Sequence, residues 1–390
     1  LLFLYTLSRK RKGWYKNVFC IVALIEIVAT AFMGFNENGQ IAVPKFFYGV
    51  NNMEKAVASL EDKTFYRSEL ASSLIVDENA LYPINGVGLF GSTASDSMVN
   101  LMDNLGFYTG CNEYLYKGAT PVTNLLLNVK YLYYHQEDTL NTDFEYVKRE
   151  GAFNIYKNPA REMSMGYLMN LSVEDWDSES AYPFRVQNSL GKQAFGVSEL
   201  FHNVEIADPA TNGCTASKTN DGEYYFEYKS TQADNMVFTI PVTKTIDDLY
   251  LFYDGTQVEN AQITINGTNV KSGDLDGYML PIGKVSAGSE VTVTFQLKGE
   301  TETGYVRLSA ADFDQKEYNN LKEETADRAF IVRDYSSNYI EGNVNAKTDQ
   351  TLFFSIPYDE GWYVEVDGKP ADMWAVGNAF LGIDVSAGEH

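Results

Sequence analysis

Glu26 is the only ionisable residue in the eighteen-residue run Val18–Phe35. A carboxylate is costly in hydrocarbon, so it must face other helices or a polar cavity, and such a residue is by default a functional candidate. Two readings stay open: a weak candidate for substrate binding, or a hydrogen bond that holds helices together. Asp175-Trp176-Asp177, Asp274-Leu275-Asp276 and Asp312-Phe313-Asp314 have the spacing that holds a divalent cation against a nucleotide-sugar diphosphate. Three residues are a weak pattern in a chain with 53 acids. Asp274–Gly277 also lacks the later bidentate Glu of an EF-hand loop. No Gly-x-Ser-x-Gly elbow, phosphate-binding loop or His-Glu-x-x-His helix is present, and His135, His202 and His390 are not spaced to serve a nucleophile. The expectation is that these residues hold no catalytic centre, metal or cofactor.

The elements that would position Glu26 are read from charge and apolarity. Arg9, Lys10, Arg11, Lys12 and Lys16 make five basic residues before position 17, with no acid among them. The apolar run that follows is about 27 Å long at ~1.5 Å per residue, long enough to span a bilayer. The chain opens with the apolar stub Leu1–Leu7 ahead of the basic cluster and has no initiator Met, unlike a signal peptide. The expected layout is the end of a preceding transmembrane helix (1–8), a cytoplasmic loop (9–16) and a transmembrane helix (17–35). The positive-inside rule sets this orientation and places Trp14 and Tyr15 at the interface. Residues after about Asn36 then lie outside the cell. The chain reads as a fragment of a multi-pass protein, cut at both ends.

Net charge is −23, and after residue 16 there are 25 basic and 53 acidic side chains, a balance of −28. Phosphate backbones need a basic face, so nucleic acid is excluded as a partner. Cys20 falls in the membrane run, which leaves Cys111 and Cys214 as the outer pair, either bonded to each other or two free thiols.

The outer part reads as an α+β multidomain arrangement: a mixed α/β domain over 44–210, a β-sandwich over 215–310, a connecting helix over 311–325 and a second, truncated β-sandwich module over 326–390. In the first, helices are expected at 51–60, 95–105 (capped by Asp96 or Ser97) and 182–194. Pro121–Leu127 should be a short helix, with Thr120 as cap and proline at its first position. A strand at 129–134 and a hairpin through 144–156 follow, and Leu81–Thr93 is turn-rich and reads as a long loop. After Tyr224 the pattern becomes period-two alternation broken by Gly, Asn and Asp, as in sandwiches. The 27 Tyr and 23 Phe either stack on sugars or fill strand cores.

Thr120–Leu132 (T-P-V-T-N-L-L-L-N-V-K-Y-L), the hairpin ending Phe153-Asn154-Ile155-Tyr156-Lys157-Asn158-Pro159, and Pro183–Asn188 (P-F-R-V-Q-N) come in a fixed order. Phe354–Trp362, Val366–Lys369, Phe380–Ile383 and Ala387–His390 continue it. This ordered series resembles the YfhO family of bacterial membrane proteins. The resemblance implies a multi-pass, GT-C-like glycosyltransferase with a polyprenyl-phosphate sugar as donor. Its acceptor would be a cell-surface polymer such as lipoteichoic acid, and membrane lipid its surroundings. It also implies that the catalytic acid lies in a first outer loop that no residue here matches, so no catalytic residue is carried over. Pro357 should fix a bend, Gly361 a left-handed φ, Asp367-Gly368 a tight turn, and Trp362 a packed anchor. The alternative is a non-catalytic, membrane-anchored surface module that binds glycan or an envelope protein.

Overall fold

The computed structural model describes residues 14–37, 50–73, 76–134, 143–218, 224–298 and 303–390. The stub Leu1–Leu7, the basic cluster Arg9–Lys12, and His135 lie outside these residues. The chain divides into two compact units, Leu1–Asn52 and Met53–His390.

In the first unit, Trp14–Glu37 is a single 24-residue helix. Its stretch Lys16–Asn36 is long and apolar enough to cross a membrane. Ile21, Leu24, Ile25, Ile27, Phe32 and Phe35 are all exposed on it. A helix that is apolar on every side suits lipid or other membrane helices rather than water.

The second unit is α+β. Strands Arg67–Leu70, Val129–Tyr134, Phe153–Lys157 and Glu145–Glu150 form a four-stranded sheet in that order. The first two strands are parallel, and a parallel pair needs a long crossover. Helices Asp96–Asn104 and Pro121–Leu126 lie within it. Met98, Leu101, Met102 and Leu105 form the buried stripe that their spacing predicts. The first helix begins one residue earlier than its expected caps: Ser95 is the N-cap, without a side-chain bond to the backbone. The second has the cap its sequence announces. Thr120 Oγ1 accepts the Thr123 N–H at 3.2 Å, and Thr123 Oγ1 accepts the Thr120 N–H at 2.8 Å.

The β-sandwich is built on a nine-stranded sheet, in which the 18-residue strand Tyr224–Pro241 serves both layers. Its first part pairs with Thr303–Phe313 and its second with Glu290–Leu297. One layer carries Val258–Ile265 and Thr268–Gly273; the other carries Ile246–Gly255 and Leu280–Val285. Alternation decides which side chains enter the core. Val291, Val293, Phe295 and Leu297 are fully buried, and the residues between them are not. Phe295 joins the layers, with Phe238 at 5.7 Å and Tyr253 at 4.7 Å, both edge-on. The helix expected over 311–325 instead runs Gln315–Asp327. Ala311 and Phe313 extend the preceding strand because both bury against the α/β core.

The last sheet has the order Met373–Val376, Phe380–Val385, Gln350–Pro357, Gly166–Asn170. Its fourth strand comes from far earlier in the chain. Phe353 and Phe380 face one core while Leu352, Phe354, Leu381 and Ile383 face another. Arg67 ties this sheet to the first, donating to Leu127 O and Ser355 Oγ at 2.8 Å each and to Ser355 O at 2.6 Å. Asp367 and Gly368 both have positive φ (53° and 70°), as a tight hairpin turn requires. Gly361 differs from expectation: it is outside the left-handed region. A Cβ there would lie 2.8 Å from Asp359 Oδ1, which accepts the Gly361 N–H. Trp362 is half-buried. Cys20, Cys111 and Cys214 are not joined in disulfides.

Candidate functional site

The polar groups of the second unit converge in a cleft of about 390 Å³ where the sandwich meets the α/β region. Asp103 and Asn104 come from the end of the Asp96–Asn104 helix, and Tyr108 and Thr109 from the turn after it. Asp254 and Arg307 come from paired sandwich strands, and Asp274 and Asp276 from the loop before Leu280. Glycine allows the pieces to meet. Gly106 (φ 91°) ends the helix, and a Cβ there would sit 2.5 Å from Met279 Cγ. Its carbonyl accepts the Met279 N–H at 2.9 Å and pins the acidic loop against the helix end.

Each side chain is held by neighbours. Asp103 Oδ1 accepts from Thr109 Oγ1 at 2.7 Å, and Asn104 Nδ2 donates to Ser178 O at 3.0 Å. Asp276 Oδ1 accepts the Gly255 N–H at 3.1 Å. Asp254 accepts from Tyr305 Oη at 2.9 Å and pairs with the Arg307 guanidinium. That guanidinium lies over the Tyr182 ring, 5.0 Å from its centroid. Beside the cleft, Lys117 Nζ is 5.1 Å from the Tyr108 ring and 4.0 Å from the Tyr278 ring.

Burial, with Asp254 and then Asp274 close by, pushes the Asp276 carboxyl up to about 7, though bonds from Gly255 and Gly277 oppose the shift. Burial also raises Asp103, and it lowers the Lys117 ammonium. Near neutral pH Asp276 is therefore part-protonated and can donate as well as accept, with aromatic faces nearby. That combination suits hydroxyl groups.

Of the three Asp-x-Asp pairs, only Asp274 and Asp276 reach this cleft. Asp314 is spent as a helix cap, accepting from the Lys316 and Glu317 N–H groups at 2.9 and 3.0 Å, with His202 Nε2 at 3.1 Å. Asp312 Oδ1 accepts the Asp248 N–H at 3.4 Å. The Asp177 N–H donates to Ser189 Oγ at 2.9 Å. His390 is bonded to Asp367 at 2.8 Å. Among the described residues, no group of three or more His, Cys, Asp and Glu is arranged to hold a metal ion. Glu26 is exposed on the Trp14–Glu37 helix. Another cavity, of about 510 Å³, borders Glu69, but Glu69 Oε1 is already taken by the Val87 and Gly88 N–H groups.

A family model described as bacterial membrane protein YfhO matches residues 1–390. The chain belongs to the YfhO family. No curated protein matches it. Among solved structures, a family 35 carbohydrate binding module from Clostridium thermocellum is similar at 15% identity, covering 28% of this chain and 95% of that one, with a TM-score of 0.20. The carbohydrate-binding module CBM36, in complex with calcium and xylotriose, is similar at 12% identity over 28% of this chain and all of its own (100%), with a TM-score of 0.19. The cryo-EM structure of arabinofuranosyltransferase AftD from Mycobacteria is similar at 13% identity over 77% of this chain and 36% of that one, with a TM-score of 0.24. At such scores none of these likenesses decides anything about this YfhO-family chain. Its assignment rests on the 390-residue family match.

In the sequence Asp274 and Asp276 stand out only as a weak cation pattern, and Asp103, Asp254 and Arg307 do not stand out at all. Period-two alternation places Phe252 and Asp254 on one face of their strand, and this was the available signal. The register that sets Asp254 opposite Arg307 joins residues 53 apart, and no local pattern encodes it.

Proposed function

We propose that this chain is the outer portion, with one membrane helix, of a multi-pass glycosyltransferase that uses a polyprenyl-phosphate sugar to modify a cell-surface polymer such as lipoteichoic acid. The observation that carries this reading is the cleft of Asp103, Asp254, Asp274, Asp276 and Arg307, built for hydroxyl groups, in a chain of a bacterial membrane family. Family resemblance supports the donor class, and the positive-inside rule supports an outer location for residues after about 36. Sugar transfer takes place on residues outside this sequence, and the second unit holds the acceptor. Its organisation is an α/β domain, a sandwich and a C-terminal β module that takes one strand, Gly166–Asn170, from the first. Glu26 faces other membrane helices and contacts the lipid-linked substrate.

The test is deletion of the full-length gene in its bacterium, followed by sugar analysis of the purified surface polymers. The reading expects one sugar substituent to disappear and to return on complementation. Unchanged polymers would leave the alternative, an anchored module that binds glycan or an envelope protein without catalysis.

A further inference from the structure

Glu69, on the strand Arg67–Leu70, is buried with 4% of its surface exposed, and it borders the cavity of about 510 Å³. Among the described residues no cation pairs with it. The groups that favour its charge are backbone N–H groups: those of Val87 and Gly88, both on Oε1, and that of Leu70. These bonds fix the carboxyl without neutralising it, and burial outweighs them, holding it above the usual carboxylate range. A buried carboxylate is costly unless a proton or a cation neutralises it.

Two more acids line the same cavity. Asp77, at positive φ (56°), accepts the Phe90 N–H on Oδ1 at 2.7 Å, and the buried Glu78 accepts from Tyr82 Oη at 2.8 Å. Lys117 is the one basic residue among the described lining residues. Its ammonium is engaged with two rings, 4.0 Å from the centroid of Tyr278 and 5.1 Å from that of Tyr108. The cavity thus sets three carboxyl groups against one cation that is already occupied. Among the described residues no acids are grouped to hold a metal ion, so the complementary charge is that of an organic cation. Ser72 and Asn79 add hydroxyl and amide groups to the wall, and Leu70 and Leu115 add apolar surface. Cavities of this size hold small molecules.

We infer that this cavity is a binding site, separate from the cleft, for a small organic molecule carrying a primary ammonium group, with Glu69 as the carboxylate that receives it. An amino sugar and an aminoacyl group present the same ammonium, and a charged hydrogen bond to a carboxylate serves either. Such a site stands whether or not the cleft takes hydroxyl groups.

The 390-residue chain in lipid nanodiscs is titrated calorimetrically near neutral pH with glucosamine and with alanine methyl ester, each against its N-acetylated counterpart. At least one amine should bind at least about tenfold more tightly than its counterpart, as expected for one charged hydrogen bond. Preference for glucosamine alone assigns the site to an amino sugar, preference for the ester alone to an aminoacyl group, and preference for both to the ammonium itself. Glu69→Gln keeps an acceptor for the Val87 and Gly88 N–H groups and should abolish the preference. Ser73→Trp, at an exposed position on the cavity wall, should block amine binding without touching the carboxyl. Thermal melts confirm folding of both variants. Asp274→Asn/Asp276→Asn should leave the preference in place. Equal affinity for the amines and their acetylated forms, or no binding of either amine, overturns the inference. A preference that survives Glu69→Gln or Ser73→Trp overturns it as well, and its loss in Asp274→Asn/Asp276→Asn instead places the ammonium in the cleft.

Discussion

Asp254 and Arg307 are directly opposed partners on adjacent antiparallel strands, and their side chains form an ion pair at the floor of the acidic cleft. The pair is mostly buried, with 25% and 16% of the respective side chains exposed. Among the described residues, Arg307 is the one cation that lines the cleft with its four aspartates. Removing it leaves Asp254 uncompensated beside Asp276. Arg307→Met should therefore cost about 3 kcal/mol in urea unfolding. Adding Asp254→Asn should restore part of that loss, giving a measurable coupling in the double-mutant cycle.

Thr120 closes a capping box and also reaches across the core. Its Oγ1 bonds Gln187 Oε1 at 2.7 Å, and Gln187 Nε2 donates to Leu105 O at 2.8 Å, linking three helical segments. Thr120→Val keeps the shape but removes the cap and leaves a buried amide oxygen unpaired. We expect a loss of about 2–3 kcal/mol, and less than 1 kcal/mol for Thr120→Ser, by denaturant unfolding.

Asp276 makes the second unit sensitive to pH. Its carboxyl is raised from 3.8 to about 7, first by burial and then by Asp254. Where the folded state holds a proton more tightly than the unfolded state, stability is greatest below the unfolded value. It falls as pH rises from about 4 to about 7 and stays reduced above that. Asp276→Asn removes this penalty. Its Tm should exceed that of the parent by about 2–4 °C at pH 8 and match it near pH 4.

Glu26→Gln in the full-length protein keeps a hydrogen-bonding group at this position and removes the charge. If Glu26 contacts the lipid-linked substrate, surface glycosylation should fall about tenfold or more at equal expression, as expected for loss of a charged hydrogen bond. Unchanged glycosylation would assign it to helix packing alone.

Local signals explain which parts of this molecule could be read from its sequence. The long apolar helix, the Thr120 cap, the Asp367-Gly368 turn and the alternation at Val291–Leu297 depend on neighbours within a few residues, and each formed as its pattern requires. What escaped depends on distant pairing. Gly166–Asn170 joins Gln350–Pro357 across the whole sandwich, and Tyr224–Pro241 runs through both layers as one strand. The cleft falls between these cases. Its loop aspartates were visible as a pair, but their partners Asp103, Asp254 and Arg307 are brought in by tertiary contacts.

The proposed role of the acidic cleft is to handle glycan for surface-polymer modification. In the deletion strain, complementation with Asp274→Asn/Asp276→Asn is the most direct test. Asparagine can still accept the Gly255 N–H, so the fold should persist, while the carboxylate acceptors for hydroxyls are lost. At wild-type protein levels, sugar on the surface polymer should stay about tenfold below that of the wild-type complement. Full restoration by the double variant would contradict the claim.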